Sequence, residues 1–186
     1  MSTPPQMRRA DKVMSQAETL ETLERGYCGR LATISEDGYP YCVPLLYVWM
    51  NGEVYLHNAK VEGHLRTNVT RDSRVCFEVD EPGDVFAYGR FECDTSVAFR
   101  SVILFGKARI VDQTEAKQRF FEALMQKYAK IGPERPKGFF PRLDQITLYA
   151  ITPERMTGKQ TPLPALCEQW PALDRTKTPN ARPNSG

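Results

Sequence analysis

Asn51-Gly52 constrains this chain more than any other pair of residues in it. The two central residues of a tight hairpin turn both need positive φ, and asparagine followed by glycine takes that conformation most readily. Tyr39 to Trp49 reads as the strand entering the turn, and Glu53 to His57 as the strand leaving it. Tyr27 to Ile34 reads as an earlier strand, joined to Tyr39 through a second turn signal, Asp37-Gly38. Three consecutive antiparallel strands follow. Parallel neighbours would need a crossover connection of about a dozen residues, so a doubly wound parallel sheet is excluded for this half.

The rest of the chain extends the pattern. Ser15 with Glu18 forms a capping box, and Ala17, Leu20 and Leu23 recur at helical spacing behind it, with Gly26 as a left-handed stop. Lys60 to Arg71 reads as a short helix. Arg74 to Asp80 alternates as a strand, and Glu81 to Thr95, with Pro82-Gly83 and Gly89, reads as a long loop. Phe99 to Val111 is a long strand with a bulge expected at Gly106. Asp112 with Glu115 caps a second helix, whose stripe Ala116, Phe120, Leu124, Tyr128 faces the core. Ile131 to Leu143 reads as a Pro- and Gly-rich connection, and Gln145 to Thr152 as the last strand.

The expected architecture is therefore mainly β: a six-stranded antiparallel split β-barrel with a few flanking helices. Closure removes the sheet edges that would otherwise invite pairing with other chains. The domain reading is an N-terminal arm over residues 1–14, a barrel domain over 15–159 and a Pro-rich C-terminal tail over 160–186. In that tail Leu163, Leu166 and Trp170 are expected to wrap a partner subunit, with disorder beyond.

Composition narrows the function classes. The chain has 186 residues, and 25 basic against 23 acidic side chains leave a net charge of +2. That balance gives no electrostatic case for nucleic acid or a membrane surface. No apolar run approaches the roughly 20 residues of a membrane span, and Met1 to Met14 lacks the apolar core of a signal peptide. The chain reads as cytoplasmic. Its cysteines, Cys28, Cys42, Cys76, Cys93 and Cys167, are odd in number and lack C-x-x-C spacing, against a disulfide framework or structural zinc. No Rossmann or P-loop glycine pattern occurs, and no G-x-S-x-G.

Chemistry concentrates in one segment. The chain has two histidines. His57 ends a strand, and His64 follows Gly63 at a helix start, where free N–H groups and a partial positive charge suit an anion. Lys60 and Arg66 add positive charge nearby. A solvated basic helix face remains the plain alternative. A metal site is disfavoured, because two histidines seven apart do not share a helix face and no third ligand is evident.

A set of motifs carries a resemblance. Gly29-Arg30-Leu31-Ala32-Thr33-Ile34, Asp37-Gly38-Tyr39-Pro40 and Val43-Pro44-Leu45 form the first element. Tyr55-Leu56-His57-Asn58-Ala59 with Glu62-Gly63-His64 forms the second, and Arg74 to Val79 the third. Ser101 to Ala108 is the fourth, and Met156-Thr157-Gly158-Lys159 closes the set. In this order they resemble the pyridoxamine 5'-phosphate oxidase-like flavoproteins, most closely the nitroimidazole-resistance branch, over Met7 to Lys159.

The resemblance implies a homodimer with FMN at the subunit interface. It places the flavin ring along Val43, Pro44, Leu45 and Leu46, with Ser101 approaching the ring's polar edge. The phosphate falls at Lys60, Gly63 and His64, and His57 lies close to the flavin as the candidate catalytic residue. Two positions depart from the family pattern. Leu65 stands where relatives carry a phosphate-binding lysine, a role Lys60 can take here. Val43 stands where the pyridoxamine phosphate oxidases carry a strand arginine.

Three function classes follow. The first is an FMN-dependent oxidoreductase related to pyridoxamine 5'-phosphate oxidase and nitroimidazole reductases, with a small-molecule substrate or electron donor and with His57 orienting or protonating the substrate. The second is a non-catalytic protein on the same fold that carries FMN, FAD or haem, with His57 or His64 as axial ligand in the haem case. The third is an interaction module without a cofactor, which the scattered charge disfavours.

Overall fold

The computed structural model describes residues 8–128 and 136–170. The described chain folds as helix α1 (Gln16–Arg25), strands β1 (Gly29–Ile34), β2 (Pro40–Leu45), β3 (Tyr47–Met50) and β4 (Glu53–Ala59), helix α2 (His64–Arg71), strands β5 (Arg74–Ala87) and β6 (Thr95–Val111), helix α3 (Thr114–Tyr128) and strand β7 (Ile146–Thr161). All seven strands join one antiparallel sheet in the order β2-β1-β5-β6-β7-β4-β3. The two edges of that sheet, β2 and β3, are consecutive in sequence and separated by Leu46 alone. The chain steps from one edge to the other in a single residue, so the sheet curls into a barrel that stays split between β2 and β3.

That step corrects the expected count of six strands. The run from Tyr39 to Trp49, expected as one strand, breaks at Leu46, because its first half pairs β1 and its second half pairs β4. The break leaves the Tyr47 backbone without a ladder partner on its open side. The Tyr128 hydroxyl fills the gap: it accepts from the Tyr47 N–H at 3.3 Å and donates to the Tyr47 carbonyl at 3.0 Å.

Local chemistry accounts for the elements that match expectation. Asn51 and Gly52 take φ of 54° and 77°, completing the β3–β4 hairpin. Ser15 and Glu18 form the reciprocal capping box on α1. Register shifts between Phe105 and Gly106, where an added Cβ would lie 2.3 Å from the Thr152 carbonyl oxygen. The bulge thus requires glycine.

Other expectations are corrected. Gly26 ends α1 with φ −52° and ψ 137°, not in the left-handed region. It is glycine for space: a Cβ would sit 2.2 Å from Val79 Cγ1 and 2.8 Å from the Tyr47 hydroxyl. Helix α2 begins at His64 rather than Lys60, because Ala59 and Lys60 still run beside the start of β7. The segment Glu81 to Thr95 is largely a hairpin, not a loop, because Pro82-Gly83 makes a bulge within β5 and pairing resumes at Val85↔Val97. The first turn of α3 starts at Thr114, with the Gln113 carbonyl accepting from Ala116 and Lys117, so Asp112 is not the cap. The last strand continues past Thr152 to Thr161.

The core has two layers. Leu31, Val54, Leu56, Phe77, Leu104 and Tyr149 fill the barrel interior, closed by Leu23 of α1 and by Leu65 and Val69 of α2. Outside the barrel, Phe120 and Leu124 of α3 pack on Val48, Tyr55, Leu148 and Ala150. β7 is therefore buried on both faces, which explains its unbroken run Leu148-Tyr149-Ala150-Ile151. In the flanking segments, Val13 bridges Lys159, and the Trp170 N–H donates to the Ala87 carbonyl, while Leu163 and Leu166 are exposed. The expected connection from Ile131 lies outside the described residues as far as Arg135, and so does the tail beyond Trp170. No helix among the described residues is long and apolar enough to cross a membrane.

Candidate functional site

The site begins with the open edge of β2. Tyr41, Val43 and Leu45 turn inward and pack on the barrel core, while Cys42, Pro44 and Leu46 are exposed. Pro44 has no N–H, so its pairing with Arg30 is of the non-hydrogen-bonded kind. It follows that the Pro44 carbonyl and both backbone groups of Cys42 point away from β1, toward the split. Acceptors and a donor thus stand in a row along an unpaired strand edge.

α2 closes one end of this row. Gly63 precedes it in an extended conformation without a side-chain cap, and an added Cβ there would meet nothing within 4 Å. The His64 ring stacks on Tyr41, with centroids 5.3 Å apart and planes at 28°. An open cleft of ≈ 720 Å³ lies here, lined by Ser35, Glu36, Asp37, Glu62, Gly63, His64, Thr67 and Asn68. Three carboxylates face it, so the electrostatics are less positive than the basic residues suggest. Lys60 is exposed, with its N–H bound to the Gln145 carbonyl, and Arg66 turns inward to Thr147 Oγ1 at 3.3 Å. Sequence reasoning missed Asn68, whose buried amide donates to Thr33 Oγ1 at 2.9 Å and ties α2 to β1.

His57 stands at the other end. Its ring lies on the outer face of β4 under α3, with centroids 5.3 Å from Phe120 and 5.0 Å from Phe121; Phe121 in turn stacks on Phe140. Nδ1 is buried without a hydrogen-bond partner among the described residues. Burial lowers its pKa and favours the neutral imidazole. The β3–β4 register pairs Tyr47 with Leu56, so its continuation sets Leu46 opposite His57. β2 therefore runs between the two histidines, His64 against Tyr41 at its start and His57 beyond its end.

Ser101 is not brought to this edge within one chain. It lies on β6, paired with Asp80 and Lys159, three strands from β2 and hence about 14 Å across the sheet. The sequence assigns the end of α3 to core packing alone, yet it contacts the site's far end. Besides the Tyr128 bonds, Lys127 Nζ lies 3.7 Å from the centroid of the Tyr47 ring. A spacing of four marks the apolar face of a helix but not what its last turn touches.

The chain matches the family described as pyridoxamine 5'-phosphate oxidase over residues 15–160. No curated protein matches it. Solved structures share the fold. The conserved protein Rv2991 from Mycobacterium tuberculosis has a TM-score of 0.67 at 26% identity, covering 86% of this chain and 96% of that one. A candidate 5-nitroimidazole antibiotic resistance protein from Bacteroides thetaiotaomicron has a TM-score of 0.66 at 21% identity, covering 80% and 86%. The FAD and haem binding protein from Mycobacterium smegmatis has a TM-score of 0.63 at 21% identity, covering 84% and 78%. With the family match spanning most of its length and the split barrel in place, the chain belongs to the pyridoxamine 5'-phosphate oxidase family.

Proposed function

We propose that the chain binds FMN along the open edge of β2 and works as a flavin-dependent oxidoreductase on a small-molecule substrate. The observation that carries this reading is the unpaired backbone edge of Cys42 to Leu46, strung between the Tyr41–His64 stack and His57. A flavin ring presents acceptor and N–H groups along one edge, which an unpaired strand edge of alternating polarity complements. The donor set fits the group at the ring. At the phosphate, the free amides after Gly63 and the His64 ring supply donors, Glu36, Asp37 and Glu62 work against them, and Lys60, which stands outside the cleft's lining, would have to reach in from the side. Family membership and the FAD binding of the M. smegmatis neighbour support a flavin.

When bound, the flavin supplies the redox chemistry. The chain's residues do the rest. Val43 and Leu45 brace the strand from inside, and Pro44 leaves its carbonyl free. His57, neutral and walled by Phe120 and Phe121, can accept a proton at a ring nitrogen, and burial makes the resulting imidazolium quick to pass it on. Ser101 reaches the flavin only from a second copy of the chain, so the reading includes a homodimer with the cofactor at its interface. Haem is the second reading: a neutral imidazole such as His57, whose Nδ1 has no partner among the described residues, is competent to ligate iron.

The test is the visible spectrum of the purified protein with mass identification of any released cofactor. An oxidised-flavin spectrum and released FMN are expected. A colourless protein that takes up no added FMN overturns the proposal, and a Soret band without flavin transfers it to haem.

A further inference from the structure

Lys127 has no role in the site as described, and its surroundings are unusual for a lysine. Its Nζ is buried over the Tyr47 ring at 3.7 Å and lies 5.2 Å from the Tyr128 ring. Among the described residues its Nζ has no hydrogen-bond partner. Cation–π attraction offsets part of the cost of burying the ammonium. It does not replace the hydrogen bonds lost from water. A methionine would fill the same place without that cost.

The position of the charge suggests a use for it. Tyr47 follows Leu46, the last residue of the open edge, and its backbone is held by the hydroxyl of Tyr128, the neighbour of Lys127. The ammonium therefore stands behind the strand switch, at the end of the edge opposite the α2 cleft. On the reading given above, a flavin with its phosphate at α2 would have its ring toward this end. A reduced flavin gains negative charge at its pyrimidine edge, and a fixed cation nearby favours that state.

We propose that Lys127 is the positive charge that poises the bound flavin, favouring its reduced form from behind Tyr47. This rests on the reading of the site given above. The titratable groups around Lys127 are few. Glu24 of α1 supports its charge, Tyr47 and Tyr128 are themselves buried, Cys28 and Tyr27 lie behind Tyr128, and the β5 carboxylates Glu78 and Glu81 act on Tyr47 from its other side. Burial brings the Lys127 pKa down to about 8, so the charge is present at neutral pH and is lost in mild alkali.

The experiment measures the reduction potential of FMN bound to the wild-type protein, Lys127→Met and Lys127→Arg, across pH 7 to pH 9. At neutral pH, Lys127→Met is expected to hold about tenfold less reduced flavin at a fixed potential, the scale of one partly buried charge. Lys127→Arg should stay near wild type. The wild-type potential should bend near pH 8, a bend that Lys127→Met lacks. A Lys127→Met potential equal to wild type overturns the inference, as does a wild-type profile without the bend, which needs no variant to fold. Failure of the wild-type protein to bind FMN at all instead overturns the reading of the site.

Discussion

Removing one hydroxyl tests the strand switch that shapes both barrel and site. In Tyr128→Phe the ring remains, so its edge-on contact with Tyr27 at 5.7 Å and its proximity to Lys127 are kept. What is lost is the pair of bonds to the Tyr47 N–H and carbonyl, at 3.3 Å and 3.0 Å. An intramolecular hydrogen bond contributes about 1 kcal/mol net, and a buried backbone group left unpaired costs about 1–3 kcal/mol. The hydroxyl is half-buried, so water reaches part of the gap, and the 3.3 Å bond is long. A loss of about 2 kcal/mol follows. In a chain of this size that lowers Tm by about 4–8 °C. Urea unfolding should show a lower midpoint with an unchanged m-value. Amide exchange should speed up at Tyr47 and Val48, while amides in the β5–β6 ladder stay as protected as the reduced global stability allows. A Tyr128→Phe stability within about 0.5 kcal/mol of wild type would mean that the hydroxyl does not hold the strand switch, because surface changes of no structural consequence fall in that range.

Three further outcomes follow from the same structure. Gly26→Ala forces a methyl group to within 2.2 Å of Val79 Cγ1 and against the Tyr47 hydroxyl, which donates to the Leu23 carbonyl; a loss of about 2–3 kcal/mol is expected by thermal unfolding. Glu53 is gripped by Arg109 at 2.5 and 2.7 Å and by Thr152, which holds its carboxyl at about 2. Its contribution is therefore full above the usual carboxylate range and lost as pH falls toward 2, and Glu53→Gln should flatten that part of the stability–pH curve. Burial lowers the His57 pKa, so the folded state resists protonation; stability should fall as pH drops below about 6.5, and His57→Leu should reduce that slope in urea titrations at successive pH values.

Local chemistry makes much of the fold readable. Asn51-Gly52 and the Ser15–Glu18 box each act within a few residues, so the residues themselves decide the outcome. Non-local events are hidden. The apolar alternation runs smoothly through Leu46, and only the change of pairing partner from β1 to β4 reveals the break. Pro82-Gly83 signals a turn or a bulge with equal force, and the pairing of β5 with β6 beyond it decides for the bulge. Gly26 resembles a stop because glycine serves both for positive φ and for close approach, and only the packing of Val79 separates the two. At the site, the stacking of His64 on Tyr41 and the acidic lining of the cleft require the β1–β2 turn to be in place, so no local pattern marks them. The contacts of Lys127 and Tyr128 with Tyr47 depend on how far α3 extends over β3.

The proposed seat of the flavin, along the open edge of β2 with its phosphate at α2, can be mapped by amide chemical shifts during titration with FMN. Saturation at one flavin per chain is expected, with the largest shifts at Cys42, Leu46 and residues 63–65. Shifts confined to the β5–β6 hairpin tip at residues 88–94, or no shifts at all, would rule that seat out.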